Sequence, residues 1–144
     1  MPALLKNILN KLKTEKSVVE LQGLSGSSKA LVLSILSQIQ EQPAEKNIPL
    51  VVVCESFDVA EVLLNDLYYF LGKEGVHFFP FWDVLPYDNF SPHKALVAQR
   101  FQTLDALLSE EIRVLITTPN GLMQRFLPRV TFQKNTISLC PESA

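Results

Sequence analysis

The chain is poor in the residues that build disulfide frameworks, metal cages and nucleic-acid surfaces. It has two cysteines, two histidines, one tryptophan and five glycines in 144 residues. Two cysteines are too few for the disulfide-dense scaffold of a small secreted domain. Cys54 ends an apolar run and is expected to pack as a small hydrophobe; Cys140 is given no chemical role. His77 falls in an expected strand and His93 in the first turn of an expected helix, with no cysteine or second histidine at metal-ligand spacing. No Ser-His-Asp set can be assembled. There is no basic excess either: 13 lysines and arginines stand against 15 acids, a net charge of -2, which argues against a dedicated nucleic-acid module. No apolar run approaches the ~18 residues of a membrane span. No apolar core with a small-residue cleavage site opens the chain, as a signal peptide would. Together these absences predict a reduced, cytoplasmic protein.

What is present suits one globular domain: 47% of residues are apolar and 19% charged, enough for a core. Residues 3–15 place Leu4, Leu5, Ile8, Leu9 and Leu12 on one helical face with lysines elsewhere. A packing helix is favoured there over a membrane-surface helix. Residues 18–21 read as a short strand and residues 28–41 as a helix burying Ala30, Leu31, Leu33, Leu36 and Ile39, closed near Pro43. The valine-rich run at 49–54 reads as a strand buried on both faces. Ser56 caps the next helix, Asp58 suits its first turn and Gly72 ends it. Residues 76–79 and 113–118 are two further strands. Ser91-Pro92 opens a helix carrying Val97, Phe101, Leu104 and Leu108. Residues 119–127 form a short helix, and residues 136–139 a possible last strand. Strand-helix alternation with crossovers of this length predicts an α/β fold with a mostly parallel sheet and helices on both faces.

Residues 23–30 read GLSGSSKA. A phosphate-binding P-loop reads G-x-x-x-x-G-K-[ST], with a strand before it and a helix after it. Gly23 and Lys29 fit. Ser28 replaces the second glycine, where the backbone could need a positive φ. Ala30 replaces the residue whose hydroxyl ligates magnesium. Gly23, Gly26, Ser27 and Lys29 are therefore the candidate anion-binding set, at the C-terminal edge of the sheet where ligands of such folds sit. With one magnesium ligand gone and no D-E-x-x box downstream, a turn of P-loop shape without ATPase activity is expected. A small nucleotide- or phosphate-binding domain is the alternative.

Residues 80–92 hold three prolines and the aromatic residues Trp82, Tyr87 and Phe90, with Asp83 and Asp88 beside them and His93 following. These residues make a candidate interaction or structural loop. Core packing is expected for Trp82 and Phe90, and the acids are expected to cap turns. An interface role is the rival reading, and stacking on bases is disfavoured by the scarcity of cations.

Three stretches together carry a resemblance: GLSGSSKA; FFPFWDVLPYDNFSPHKALVAQR at 78–100; and VLITTPNGLMQRFLP at 114–128. They are similar to the N-terminal UvrB-like module of the bacterial transcription-repair coupling factors (Mfd). The order GLSGSSKA, VVVCES, TTPNGL also resembles the first helicase motifs. The resemblance covers residues 18 to about 128. It implies a three-layer P-loop NTPase-like, helicase-like domain over residues 1–128, with 129–144 beginning a following domain. The family is implied to displace stalled RNA polymerase, to act on DNA and to recruit UvrA in nucleotide excision repair. ATP and magnesium would be used by a motor domain elsewhere in the parent protein. The module resembles a helicase domain that has lost ATPase function, which suits Ser28 and Ala30, so the chain itself would be a non-catalytic scaffold and an N-terminal fragment of such a factor. UvrB keeps glycine and threonine at those places, and the departures favour Mfd over UvrB. UvrA contacts are implied for the adjoining domain, and those to polymerase and DNA for other domains.

Overall fold

Three four-residue apolar runs, LVVV, VHFF and VLIT, set the frame. In the structure, a computed structural model that describes residues 18–40, 48–84, 87 and 89–137, they form strands β1 (Leu50–Val53), β2 (Val76–Phe79) and β3 (Val114–Thr117). All pairings are parallel and the order is β1-β3-β2. Leu50 and Val76 align with Val114, and Val53 and Phe79 with Thr117. Parallel neighbours require crossovers, which helices supply. The helices are α1 (Ser28–Gln40), α2 (Phe57–Leu71), α3 (Lys94–Leu108), α4 (Pro119–Met123) and α5 (Arg129–Asn135).

Side-chain alternation along in-register strands puts Leu50, Val52, Val76, Phe78, Val114 and Ile116 on one face. Helix α2 covers that face with Ala60, Leu63 and Leu67, joined by Ala30 of α1. Fully burying a leucine such as Leu67 contributes about 2 kcal/mol. Helix α3 lies on the opposite face, where its Arg100 stacks over Phe79. The Thr103 hydroxyl is 3.2 Å from the Phe78 carbonyl and 2.8 Å from that of Gln99. The α/β architecture with a parallel sheet and helices on both faces is therefore as the alternation predicts.

Local signals explain the best-placed element. Ser56 accepts from the Val59 N–H at 3.3 Å, Asp58 faces the positive end of α2, and the Gly72 N–H donates to the Tyr68 carbonyl at 3.0 Å. Gly72 sits at φ 78°, a conformation that glycine adopts without penalty.

Several expectations are corrected. Residues 18–21 are not a strand: Val18 is 98% exposed, and among the described residues no neighbouring strand takes up their backbone donors and acceptors, as a strand would need. β1 is not buried on both faces. Among the described strands it stands at the edge, and its Val51 and Val53 stay half-exposed on the face where α3 packs mainly on β2. Leu31, placed on the buried side of α1 by spacing, is largely exposed. Helix α3 starts at Lys94 with His93, not Ser91, as its N-cap. α4 stops at Met123, four residues before the expected end. A helix, α5, follows Pro128, and Thr136 and Ile137 form no strand. Its Phe132 stacks on Phe101 at 5.8 Å. The expected helix at 3–15, Pro43, Ser138 and Leu139, Asp88 and Cys140 lie outside the described residues. Among the described residues, no helix is long and apolar enough to cross a membrane.

Candidate functional site

The loop before α1 turns on two glycines, Gly23 at φ 79° and Gly26 at φ 51°. A Cβ would meet nothing at either position, so conformation and not space selects glycine there. Ser28 is different. It has no positive φ and begins the helix, so the serine is not strained where a second glycine was expected. Its hydroxyl donates to the Ser25 carbonyl at 2.6 Å and its N–H to the same oxygen at 3.2 Å, and the Leu31 N–H donates to the Ser27 carbonyl. These bonds close the turn.

Lys29 is exposed. Ala30 beside it is 0% exposed and belongs to the core with Cys54 and Ala60. The loop borders a cavity of about 710 Å³ between α1, α2 and the C-terminal end of β1. Gly26, Lys29 and Cys54 line it together with three acids, Glu55, Asp58 and Asp66. One cation against three carboxylates is an unfavourable setting for a polyphosphate. Burial pushes the Cys54 thiol above its ordinary value, Lys29 pulling the other way and Glu55 adding to the rise. A buried protonated thiol is a packing group and not a nucleophile. Among the described residues, no group of three or more His, Cys, Asp or Glu could hold a metal ion.

The aromatic segment is organised from elsewhere in the chain. Gln124, just after α4, accepts the Trp82 N–H at 2.6 Å and returns its own amide N–H to the Trp82 carbonyl at 3.5 Å. Arg100 from α3 donates to the Pro80 carbonyl and to Gln124. Its guanidinium lies 4.2 Å from the Phe79 ring centroid and 4.4 Å from that of Trp82. Trp82 is half-buried, as core packing predicts in part. Phe90 is not packed: it is 80% exposed. Tyr87 is wholly exposed, at φ 80°, a backbone conformation rare for a bulky side chain. His93 does not join Trp82 in a site. Its Nδ1 accepts the Ala95 N–H at 3.3 Å, while its backbone N–H donates to the Asp83 carboxylate at 3.4 Å, so Asp83 steadies the turn as expected. Half-burial lowers the His77 pKa, with Glu111 opposing.

Residue-type reasoning missed Arg100, Gln124, Thr117 and Gly121. The signal for Arg100 is an arginine at core spacing in α3, three residues after Val97. Thr117 donates to the Phe79 carbonyl at 2.9 Å, tying β3 to β2 at the strand ends. Gly121 lies so close that a Cβ would fall 2.6 Å from the Thr117 Oγ1 and 3.2 Å from the Phe79 carbonyl.

The chain is thus an α/β domain on a parallel sheet, with a glycine turn opening a helix and an arginine-clamped aromatic segment on the other face. No family model matches it. It is similar to the transcription-repair-coupling factor of Haemophilus influenzae, with 31% identity over 102 residues, covering 71% of this chain and 9% of that protein. The Escherichia coli factor is 47% identical over 47 residues, 33% of this chain and 4% of that protein. The Rickettsia typhi factor is 30% identical over 81 residues, 56% of this chain and 7% of that protein. The chain is a relative of the transcription-repair-coupling factors. It spans less than a tenth of the length of the curated relatives it matches.

Proposed function

We propose that the chain is the UvrB-like, helicase-like module of a transcription-repair coupling factor and works as a non-catalytic scaffold. In this reading it is a three-layer P-loop-like domain, degenerate in its Walker A turn, that supports UvrA recruitment in transcription-coupled nucleotide excision repair. Residues 1–128 make the domain and 129–144 lead into a following one. ATP and magnesium belong to the motor domain of the parent protein, and the chain needs no cofactor of its own. UvrA is met through the adjoining domain, RNA polymerase and DNA through others, all in the cytoplasm.

The observation that carries the non-catalytic reading is the place of Ala30. The residue that should offer magnesium an oxygen is instead a fully buried methyl in the same core cluster as Cys54 and Ala60. The three acids around Lys29 point the same way, since they repel the phosphates that the lysine would attract. The turn through Gly23, Gly26 and Ser27 then serves to join the loop to α1.

The test is a titration with ATP and magnesium followed by melting temperature. No saturable stabilisation is expected, for wild type or for Lys29→Ala. Stabilisation at micromolar ATP that disappears in Lys29→Ala would replace the scaffold with a small nucleotide-binding domain. A UvrA pull-down with this chain alone is expected to be negative. Capture that Tyr87→Ala abolishes would move recruitment onto the aromatic loop.

A further inference from the structure

Arg100 is the one charged residue buried to 2% exposure among the described residues. A guanidinium carries five N–H donors in a planar fork and resists deprotonation. Nη1 is used, on the Pro80 carbonyl and Gln124 Oε1. The faces of the group are used as well, against Phe79 and Trp82. Nη2 is buried with no hydrogen-bond partner. No carboxylate among the described residues is bonded to Arg100. A buried charge without a counter-ion is costly, so a partner that supplied one would be stabilised here.

The space beside it is suited to such a partner. Arg100 lines a cavity of about 320 Å³ with Trp82, Phe101, Leu104, Arg125, Phe126 and Leu127. Two cations face it and no acid does; every other wall is apolar or aromatic. Trp82 and Arg125 continue into a neighbouring cavity of about 820 Å³ that runs to Met123 and is lined also by Asp83, so the carboxylate is placed in the smaller cavity, where no acid stands.

We propose that this cavity receives the carboxylate of an acidic protein segment, an aspartate or glutamate flanked by an apolar residue. The carboxylate pairs with Arg125 and, as the Trp82 ring yields, with the unpartnered Nη2 of Arg100, which is closed to solvent in this structure; its neighbour packs on Phe126 and Leu127. A flat two-oxygen group matches the guanidinium edge. A nucleic-acid backbone needs a row of cations along its path, and a chain of net charge -2 with apolar walls here offers none. The proposal is independent of the loop at Gly23 and of any UvrA contact.

Trp82 is the only tryptophan in the chain and lies against Arg100, so its fluorescence reports directly on this site. The 144-residue chain is titrated at constant ionic strength with N-acetyl-Leu-Glu-Leu-amide, with the Gln counterpart, and with inorganic phosphate. The Glu peptide is expected to give a saturable change, with the Gln peptide about tenfold weaker or worse. Arg125→Gln, an exposed position that leaves the fold intact, is expected to weaken the Glu peptide by about fivefold. Arg100→Lys, checked by melting to be folded, is expected to reduce the preference for Glu over Gln, because an ammonium keeps the charge and loses the two-pronged edge. Equal titrations by the Glu and Gln peptides would overturn the proposal. So would phosphate matching the Glu peptide, no saturable response at all, or unchanged affinity in Arg125→Gln.

Discussion

At the scale of single residues, the informative positions are those where one atom decides. Gly121 is the clearest. It sits over the bond from Thr117 to the Phe79 carbonyl, and a methyl there would come within 2.6 Å of the Thr117 oxygen. Helix propensity alone would favour alanine in α4. Steric crowding outweighs that preference, since the contacts are a buried hydroxyl and backbone rather than a flexible side-chain end. Gly121→Ala should destabilise the chain by about 1–3 kcal/mol. A melting curve at or above that of wild type would refute the crowding argument. Trp82 gives a second case. A fully buried tryptophan cut to alanine costs about 3–5 kcal/mol. Here the ring is half-buried and its gain comes from Arg100 on one side, so Trp82→Ala should cost about 2 kcal/mol. Chemical denaturation measures this; a loss below about half a kcal/mol would detach the ring from the clamp.

At the scale of elements, α2 is the helix whose ends are written most fully in the sequence. Ser56 satisfies the Val59 N–H, Asp58 complements the helix dipole and Gly72 takes the left-handed exit. Ser56→Ala removes the cap without touching the core, and should cost about 1 kcal/mol. In a domain of this size that is a fall of about 3 °C in melting temperature. An unchanged melting temperature would show that the hydroxyl is replaced by water at no cost. The strands were legible for a similar reason. Unbroken runs such as VLIT have no helical alternative of adequate length, and their spacing forces parallel crossovers. Less legible were the features that depend on neighbours. Residues 18–21 have strand-like composition, but composition does not provide a ladder partner. PLVVVC reads as doubly buried, yet whether a strand is central or at an edge depends on the order β1-β3-β2, which no single run contains. Helix α5 is only seven residues long and is anchored by the buried Phe132, whose ring stacks on Phe101. The loop at Gly23 was recognisable by its glycines, whereas the Arg100 clamp joins α3, the β2 exit and Gln124, which lie 20 and 24 residues from it along the chain.

At the scale of the whole molecule, the half-buried His77 and the buried Cys54 shape the two ends of the pH range of stability. His77 stands in β2 with its pKa lowered from 6.5, chiefly by burial, Glu111 opposing. The unfolded chain then takes up a proton at a higher pH than the folded one. Stability from His77 is complete above 6.5 and is lost as pH falls through the lower folded value. Cys54 acts at the other end. Its thiol is raised from 9.0, mainly by burial, so the unfolded chain ionises first and stability declines as pH rises past that value. The melting temperature should therefore form a plateau with two shoulders. His77→Gln should flatten the acid shoulder below 6.5, leaving the alkaline one, while Cys54→Ala should move the alkaline shoulder to higher pH, where Tyr68, raised from 10.0 by burial, still acts, and lower the plateau through its lost packing. Each shoulder is tied to a different strand, since His77 lies on the α3 face of the sheet and Cys54 closes β1 beneath α1. Melting of both variants across the range would separate them. An acid shoulder that persists unchanged in His77→Gln would assign it to carboxylates and remove the histidine from the account.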